Sequence, residues 1–318
     1  MLPFLVRRLI GAFLVLVAVS FITYLIFVKI PGGDPAPRIA GRLATDQNIA
    51  DIRQKLHLND PFYSQYWAMM QSLFTGTLKS YSSQLNVVSE IKRGIPATLS
   101  LTIGAGIIWL GFGILVGVIS AVTAGGLSDR VITVLALIGI SMPVFWLGLI
   151  ARYLFAESHP FSFFPDGEYV PLTQNPWQWF VHLIMPWTVL AVLSIGFYGR
   201  VLRSNILDTI NEDYVRTARA KGLSERRVLV RHVLRNALIP IVTLFGLDFG
   251  AAIGGGAILT ESIFSLQGVG QYAAQSVGSL DLPPVMGTTL YAAGFIVLLS
   301  ALVDIAYAYL DPRIRINA

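Results

Sequence analysis

The chain has 318 residues, of which 54% are hydrophobic and only 13% charged, and its mean hydropathy is +0.66. A soluble domain carries about 25% charged residues, so this composition excludes an ordinary soluble protein and predicts an integral membrane one. The lack of cysteine excludes disulfides, thiolate metal sites and a cysteine nucleophile, while the formal net charge of +5 has meaning only by position in so apolar a chain.

A hydrocarbon core of ~30 Å takes about 20 apolar helical residues to cross, because lipid offers the backbone no hydrogen-bond partners. Six stretches reach that length: 9–28, 96–126, 131–151, 181–199, 237–260 and 285–303. The expected fold is therefore all-α, with six transmembrane helices. The first stretch follows Arg7 and Arg8 and so has the look of a secretion signal. Its uncharged run is longer than a signal core of roughly 7–15 residues, and it ends in Lys29-Ile30-Pro31-Gly32 with no small-residue cleavage site. It reads as a retained anchor.

Between the first two stretches, Ile49, Ile52 and Leu56 fall at helical spacing, and Phe62, Tyr63, Tyr66, Trp67, Met70 and Leu73 form a second apolar face. Two short helices are expected, separated by Asn59-Asp60-Pro61 with the proline in the first turn of the second. They form either a lid on the outer membrane surface or a docking surface for an extracellular partner. Residues 1–95 thus make an N-terminal helix plus an extracytoplasmic loop, and 96–318 a five-helix core with a cytoplasmic loop at 204–236. Gly104, Gly106, Gly111, Gly113 and Gly117 in the second stretch suit close helix packing.

Orientation follows from lysine and arginine, which short loops keep on the cytoplasmic side. One side collects Arg7, Arg8, Arg130, Arg200, Arg203, Arg216, Arg219, Lys221, Arg226, Arg227, Arg231, Arg235, Arg313 and Arg315. The opposite loops hold Glu157, Asp166 and Glu168, then Glu261 and Asp281, without a basic residue. The loop at 31–95 does carry basic residues, but the rule is weak for loops beyond about 60 residues. Both termini are expected in the cytoplasm, and the positive charge is a topology signal that leaves nucleic-acid binding without support.

The segment 204–236 is polar, rich in charge and longer than a connection requires. Asp213 favours a helix N-terminus, Val215, Ala218 and Ala220 fill the helix, Gly222 breaks it, and Ser224 is placed to cap a second helix running from Glu225 towards Pro240. Two short helices joined at a glycine make a rigid protrusion that a soluble protein could grip. An ordinary positive-inside loop would explain the arginines but not the small residues Ala218, Ala220 and Gly222.

Within the spans, Asp248 lies near the middle of the fifth stretch between Gly246 and Gly250. An ionisable group at that depth faces the bundle interior or water, so Asp248 either lines a route for a solute with a free amino group or bonds a neighbouring helix. Arg152 and Asp304 lie near span ends, where snorkelling suffices. No Gly-Lys dipeptide occurs, hence no phosphate-binding loop of the Walker A type, and Gly268-Val269-Gly270 reads as a turn. His57, His159, His182 and His232 lack metal-ligand spacing, and no serine sits in a nucleophile context. No catalysis, metal or cofactor is assigned to this chain.

The run Asp213-Tyr214-Val215-Arg216-Thr217-Ala218-Arg219-Ala220-Lys221-Gly222-Leu223-Ser224 resembles the cytoplasmic coupling loop of binding-protein-dependent ABC importer permeases. Arg216-Thr217-Ala218 occupies the position of the family's Glu-Ala-Ala and Gly222 that of its glycine; the alanine and glycine alone match literally, and Leu238-Ile239-Pro240 lies farther on than in the general pattern. Ser141-Met142-Pro143-Val144-Phe145-Trp146-Leu147-Gly148, Gly255-Gly256-Ala257, Thr260-Glu261-Ser262-Ile263-Phe264-Ser265-Leu266, Gly268-Val269-Gly270 and Asp311-Pro312-Arg313-Ile314-Arg315 are similar to the oligopeptide/dipeptide permease branch, so the resemblance spans nearly the whole chain.

The resemblance implies a type I ABC importer-like permease core in a bacterial cytoplasmic membrane, paired with a second homologous permease. Two ABC ATPase subunits would bind ATP and Mg and receive the 213–224 loop, and an extracytoplasmic substrate-binding protein would deliver cargo. Peptides are the leading substrate class, with nickel, glutathione and sugars handled by relatives in the branch. Two rivals are an ion-coupled secondary transporter, in which Asp248 would bind the coupling ion, and an intramembrane enzyme, for which no paired catalytic residues are evident.

Overall fold

A computed structural model describes residues 2–29, 36–41, 44–55, 57–157 and 161–310. Leu56, His159 and the Asp311–Arg315 motif carry sequence expectations that lie outside them. Among the described residues the regular structure is helical: α1 (Leu2–Lys29), α2 (Ala36–Ala40), α3 (Asp46–Lys55), α4 (Phe62–Phe74), α5 (Val87–Val122), α6 (Leu127–Ser141), α7 (Val144–Phe155), α8 (Pro176–Thr209), α9 (Asp213–Ala220), α10 (Glu225–Val228), α11 (Leu234–Ala237), α12 (Ile239–Ala251), α13 (Ile258–Ile263), α14 (Val269–Gly278) and α15 (Leu282–Leu310). Among the described residues, five helical segments are long and apolar enough to cross a membrane, or six if the bent pair α6–α7 counts as one span.

That pair departs from the straight helix expected at 131–151. The axis turns by 99° between Ser141 and Val144, because Pro143 supplies no N–H and pushes Met142 into an extended conformation, φ −86° and ψ 126°. The stretch at 237–260 is likewise interrupted. After α12 the chain makes a π turn at Ala252–Gly256, in which Gly255 adopts φ 144°, before α13 begins. Only glycine reaches that backbone conformation without strain.

The chain forms two compact units, with boundaries inside α5 and α15. One comprises the described residues up to Thr98 together with Ile253–Val297. Its core gathers Tyr24 of α1, Met69 and Met70 of α4, Val87 and Ile91 of α5, Val269 of α14 and Met286 of α15. The two short helices of the first loop are present as α3 and α4, with Pro61 just ahead of α4 at its N-cap. Tyr66 of α4 meets Ser20 of α1, hydroxyl to hydroxyl at 2.8 Å, and packs edge-on against Phe21.

In this unit Asp281 is buried and accepts hydrogen bonds from Ser80 Oγ at 2.6 Å and from the N–H groups of Tyr81 and Ser82 at 3.0 and 3.1 Å. Glu261, which the charge tally places in the loop between the last two spans, is fully buried. Thr98 Oγ1 donates to its Oε1 at 2.7 Å, the Gln271 N–H donates to Oε2 at 2.9 Å, and the Gly270 N–H adds a third donor. The carboxyl thereby receives the first N–H groups of α14, which have no partner inside their own helix. A Cβ at Gly268 would collide with this carboxyl group. Burial pushes the Glu261 carboxyl above the usual range, and the three donors pull against it without overcoming it.

The second unit comprises Leu99–Ala252 and the described residues from Leu298 onward. Here α5 and α8 approach closely: a Cβ at Gly117 would lie 2.8 Å from the carbonyl oxygen of Gly199, and one at Gly113 would lie 2.8 Å from Cβ of Tyr198. Small residues allow that proximity where lipid provides no hydrophobic drive between helices. Asn175 caps α8, accepting from the N–H groups of Trp177 and Gln178 at 3.1 Å, with Pro176 opening the helix.

Candidate functional site

The segment 204–236 folds as the sequence leads one to expect in outline. Asp213 lies in the first turn of α9, and Val215 and Ala218 are buried on its inner face. Asp213, Tyr214, Arg216, Thr217, Ala220, Lys221, Gly222 and Ser224 are exposed, and Arg219 and Leu223 half-buried. The small residues therefore divide, Ala218 packing inward while Ala220 and Gly222 face out. The small face expected from the sequence is thus not one surface.

The end of α9 has a defined form. Gly222 takes φ 76°, its N–H donates to Arg219 O at 2.9 Å, and the Leu223 N–H donates to Ala218 O at 3.4 Å. Those two bonds with a left-handed residue make a Schellman motif, which satisfies carbonyls that the helix leaves open. Arg219 spans the turn, its Nε and second guanidinium nitrogen donating to the two Glu225 carboxylate oxygens at 2.9 and 3.2 Å. Ser224 occupies the N-cap position of α10, but its side chain makes no capping bond. The backbone carries that role instead, Ser224 O accepting from the Arg227 N–H at 2.8 Å.

The following helix is interrupted by a π turn at Leu229–Val233. This inserted geometry brings its carbonyls near α9: Tyr214 Oη donates to His232 O at 3.3 Å and accepts from Asn236 Nδ2 at 2.6 Å. Asn205 of α8 donates to Ala237 O at 3.2 Å. The segment 213–236 is thus a cross-linked body within its unit.

A second cluster in this unit was not legible as a site. Asp129, at the start of α6, is 4% exposed and receives four hydrogen bonds. Arg203 of α8 donates from Nε at 2.7 Å and from a terminal nitrogen at 2.8 Å, the Gly125 N–H donates at 2.9 Å, and the Ser120 hydroxyl also donates. In the sequence Arg203 stands out only as one of the cytoplasmic-side charges. Its position six residues before the end of α8 was the available signal.

Asp248 is exposed on α12, and its Oδ2 accepts from the buried phenol of Tyr198 at 2.7 Å. Both alternatives posed by the sequence bear on it, since the residue bonds a neighbouring helix and still presents surface. Nothing in the sequence marks Tyr198, because one hydroxyl within an apolar run carries no periodic signature. Trp109, Phe245 and Phe249 pack around the pair, with the Trp109 ring 6.3 Å from Tyr198 and 5.6 Å from Phe245.

Comparison with known proteins bears on these features together. Residues 113–316 match the family described as binding-protein-dependent transport system inner membrane component, and residues 1–102 match the N-terminal region of the same systems' membrane components. The chain belongs to that family. It is 37% identical over 316 residues to a putative peptide transport system permease protein of Brucella abortus (strain 2308), covering 99% of each chain. A dipeptide transport system permease protein of Alkalihalophilus pseudofirmus is 35% identical over 334 residues, covering 99% of this chain and all of that one. A di/tripeptide transport system permease protein of Pseudomonas aeruginosa is 36% identical over 337 residues, with 99% of each covered. Among solved structures, the inward-facing MetNI methionine ABC transporter superposes with a TM-score of 0.51 at 20% identity, covering 69% of this chain and 93% of that one. The permease fold of this family member is thereby shared with an ABC importer.

Proposed function

We propose that this chain is a transmembrane permease subunit of an ATP-driven importer for di- or oligopeptides, in a bacterial cytoplasmic membrane with both termini inside. It forms the translocation route with a second homologous permease, takes cargo from an extracytoplasmic binding protein, and leaves ATP and Mg to two ATPase partners. Full-length similarity to peptide permeases supports the substrate class. Asp248 is assigned to the route, and α4 to the outer membrane face. The exposed rings of Tyr63 and Trp67 support the assignment of α4, because amphipathic aromatic side chains favour the lipid interface.

The observation that carries the coupling role is the build of the 213–224 loop. ATP-driven movement passes between subunits only through a stiff contact, and α9 has an inner face packed, a glycine-terminated end and exposed polar groups on its outer side. Arg216, Lys221 and the arginines after Ser224 can meet acidic groups on an ATPase. Gly222→Asp is expected to leave the complex assembled in the membrane, with ATP hydrolysis retained and uptake lost. Normal uptake by that variant in proteoliposomes sinks the assignment.

A further inference from the structure

The geometry points to Asp248 and Tyr198 as a recognition site for the ammonium group of the transported solute, with Tyr198 orienting the carboxylate and Asp248 making the contact. The inference rests on the permease reading and gives its route a chemistry. A carboxylate at mid-span is costly in lipid and faces protein or water, yet Asp248 is exposed in this subunit, as are Leu247 and Ala251 beside it on α12. Its Oδ2 is held by the Tyr198 phenol at 2.7 Å, and Oδ1 has no hydrogen bond among the described residues. One oxygen is therefore anchored and the other offered.

The surroundings fit a cation rather than an anion. Phe245 and Phe249 stack at 5.4 Å, Trp109 lies edge-on to both, and Phe197 leaves nearly half its surface exposed next to Tyr198. Aromatic faces attract ammonium groups within about 6 Å and repel carboxylates. The indole N–H of Trp109, whose ring lies 6.3 Å from that of Tyr198, is buried without a partner among the described residues. A peptide N-terminus supplies the primary ammonium that the open Asp248 oxygen would take.

The absence of cysteine from this chain allows a direct test in nanodiscs, with the label read on this subunit of the assembled transporter after the subunits are separated. Ala251→Cys places a thiol one helical turn from Asp248. A cationic methanethiosulfonate is expected to modify it about tenfold faster than an anionic one of similar size, through the local field of the carboxylate. That preference should disappear when Asp248→Asn is added, and a dipeptide amide with a free N-terminus should slow the reaction while its N-acetyl counterpart does not. No modification with either reagent in any nucleotide state, or equal rates with Asp248 intact, overturns the proposal.

In ATP-driven uptake, Asp248→Asn should cost about tenfold or more for a free-amino peptide, and Tyr198→Phe should cost less. Equal losses for free and N-acetylated peptides would make Asp248 structural instead. Failure of the unaltered complex to take up any peptide defeats the peptide reading alone, since the labelling preference is measured without transport.

Discussion

Asp129 and Glu261 are both buried, at 4% and 0% exposure, but they are held by opposite means. Asp129 faces the guanidinium of Arg203 with a hydroxyl and a backbone N–H in support. Glu261 faces a hydroxyl and the first N–H groups of α14. In the first case a full charge balances a full charge, and the group works as a cross-link between α8 and the α5–α6 turn. In the second, partial charges of a helix end stand in for a cation, and the carboxyl serves as the cap that seats α14. The difference predicts that the two sites fail differently.

Removing the cation should be the more damaging change. Arg203→Ala removes the counter-charge of Asp129 and leaves its carboxylate with only the Ser120 hydroxyl and the Gly125 N–H. Thermal unfolding of the purified protein in detergent should show a drop of several degrees or loss of the folded form. Adding Asp129→Ser should restore part of it, because the orphaned charge goes too. Equal destabilisation by the single and double variants would mean that packing of the arginine stem, not charge pairing, joins α8 to the turn.

These two acids also show what a sequence reveals. The spans were legible because lipid demands long apolar helices, and the α9–Gly222–α10 element was legible because its determinants are local: an acid at a helix start, then a glycine where φ is positive. Glu261 counts in the sequence as a charge of the loop between the last two spans, and its burial is not visible there. Its partner Thr98 lies 163 residues earlier, and charge counting has no means of sensing a pairing so distant. The Asp129–Arg203 pair, 74 residues apart, was hidden for the same reason. The break at Met142-Pro143 did have a local signal, since proline disfavours helix in the preceding residue. A hydropathy window averages over it.

Glu261 provides a test with a sign. Its folded-state carboxyl titrates above the ordinary value because of burial, so the folded state binds its proton more tightly than the unfolded chain does. The associated stability is complete below the ordinary carboxylate range, falls as pH rises towards the raised folded value, and is flat above it. The thermal midpoint should decline across that window, and Glu261→Gln should flatten the decline relative to the unaltered protein. A midpoint that rises with pH through the window, and loses that rise in Glu261→Gln, would mean that the helix N-terminus outweighs burial. Glu261 would then resemble Asp129 after all.

The smallest effect is expected where the bonds are half in water. Tyr214 is 40% exposed, and its hydroxyl joins Asn236 and the carbonyl of His232. Because water can replace both partners, Tyr214→Phe should cost only about 0.5–1.5 kcal/mol, far less than breaking the Asp129 cross-link. The loss is nonetheless local to the element assigned to coupling. Hydrogen exchange should therefore rise in 213–236 while α5 and α8 keep their protection, and ATP turnover per peptide imported should increase, since a looser lever transmits less of each stroke. Unchanged exchange in 213–236 would show that the inward-packed Val215 and Ala218 hold the protrusion without the hydroxyl. Its stiffness would then come from apolar burial alone, as in the rest of the helical core.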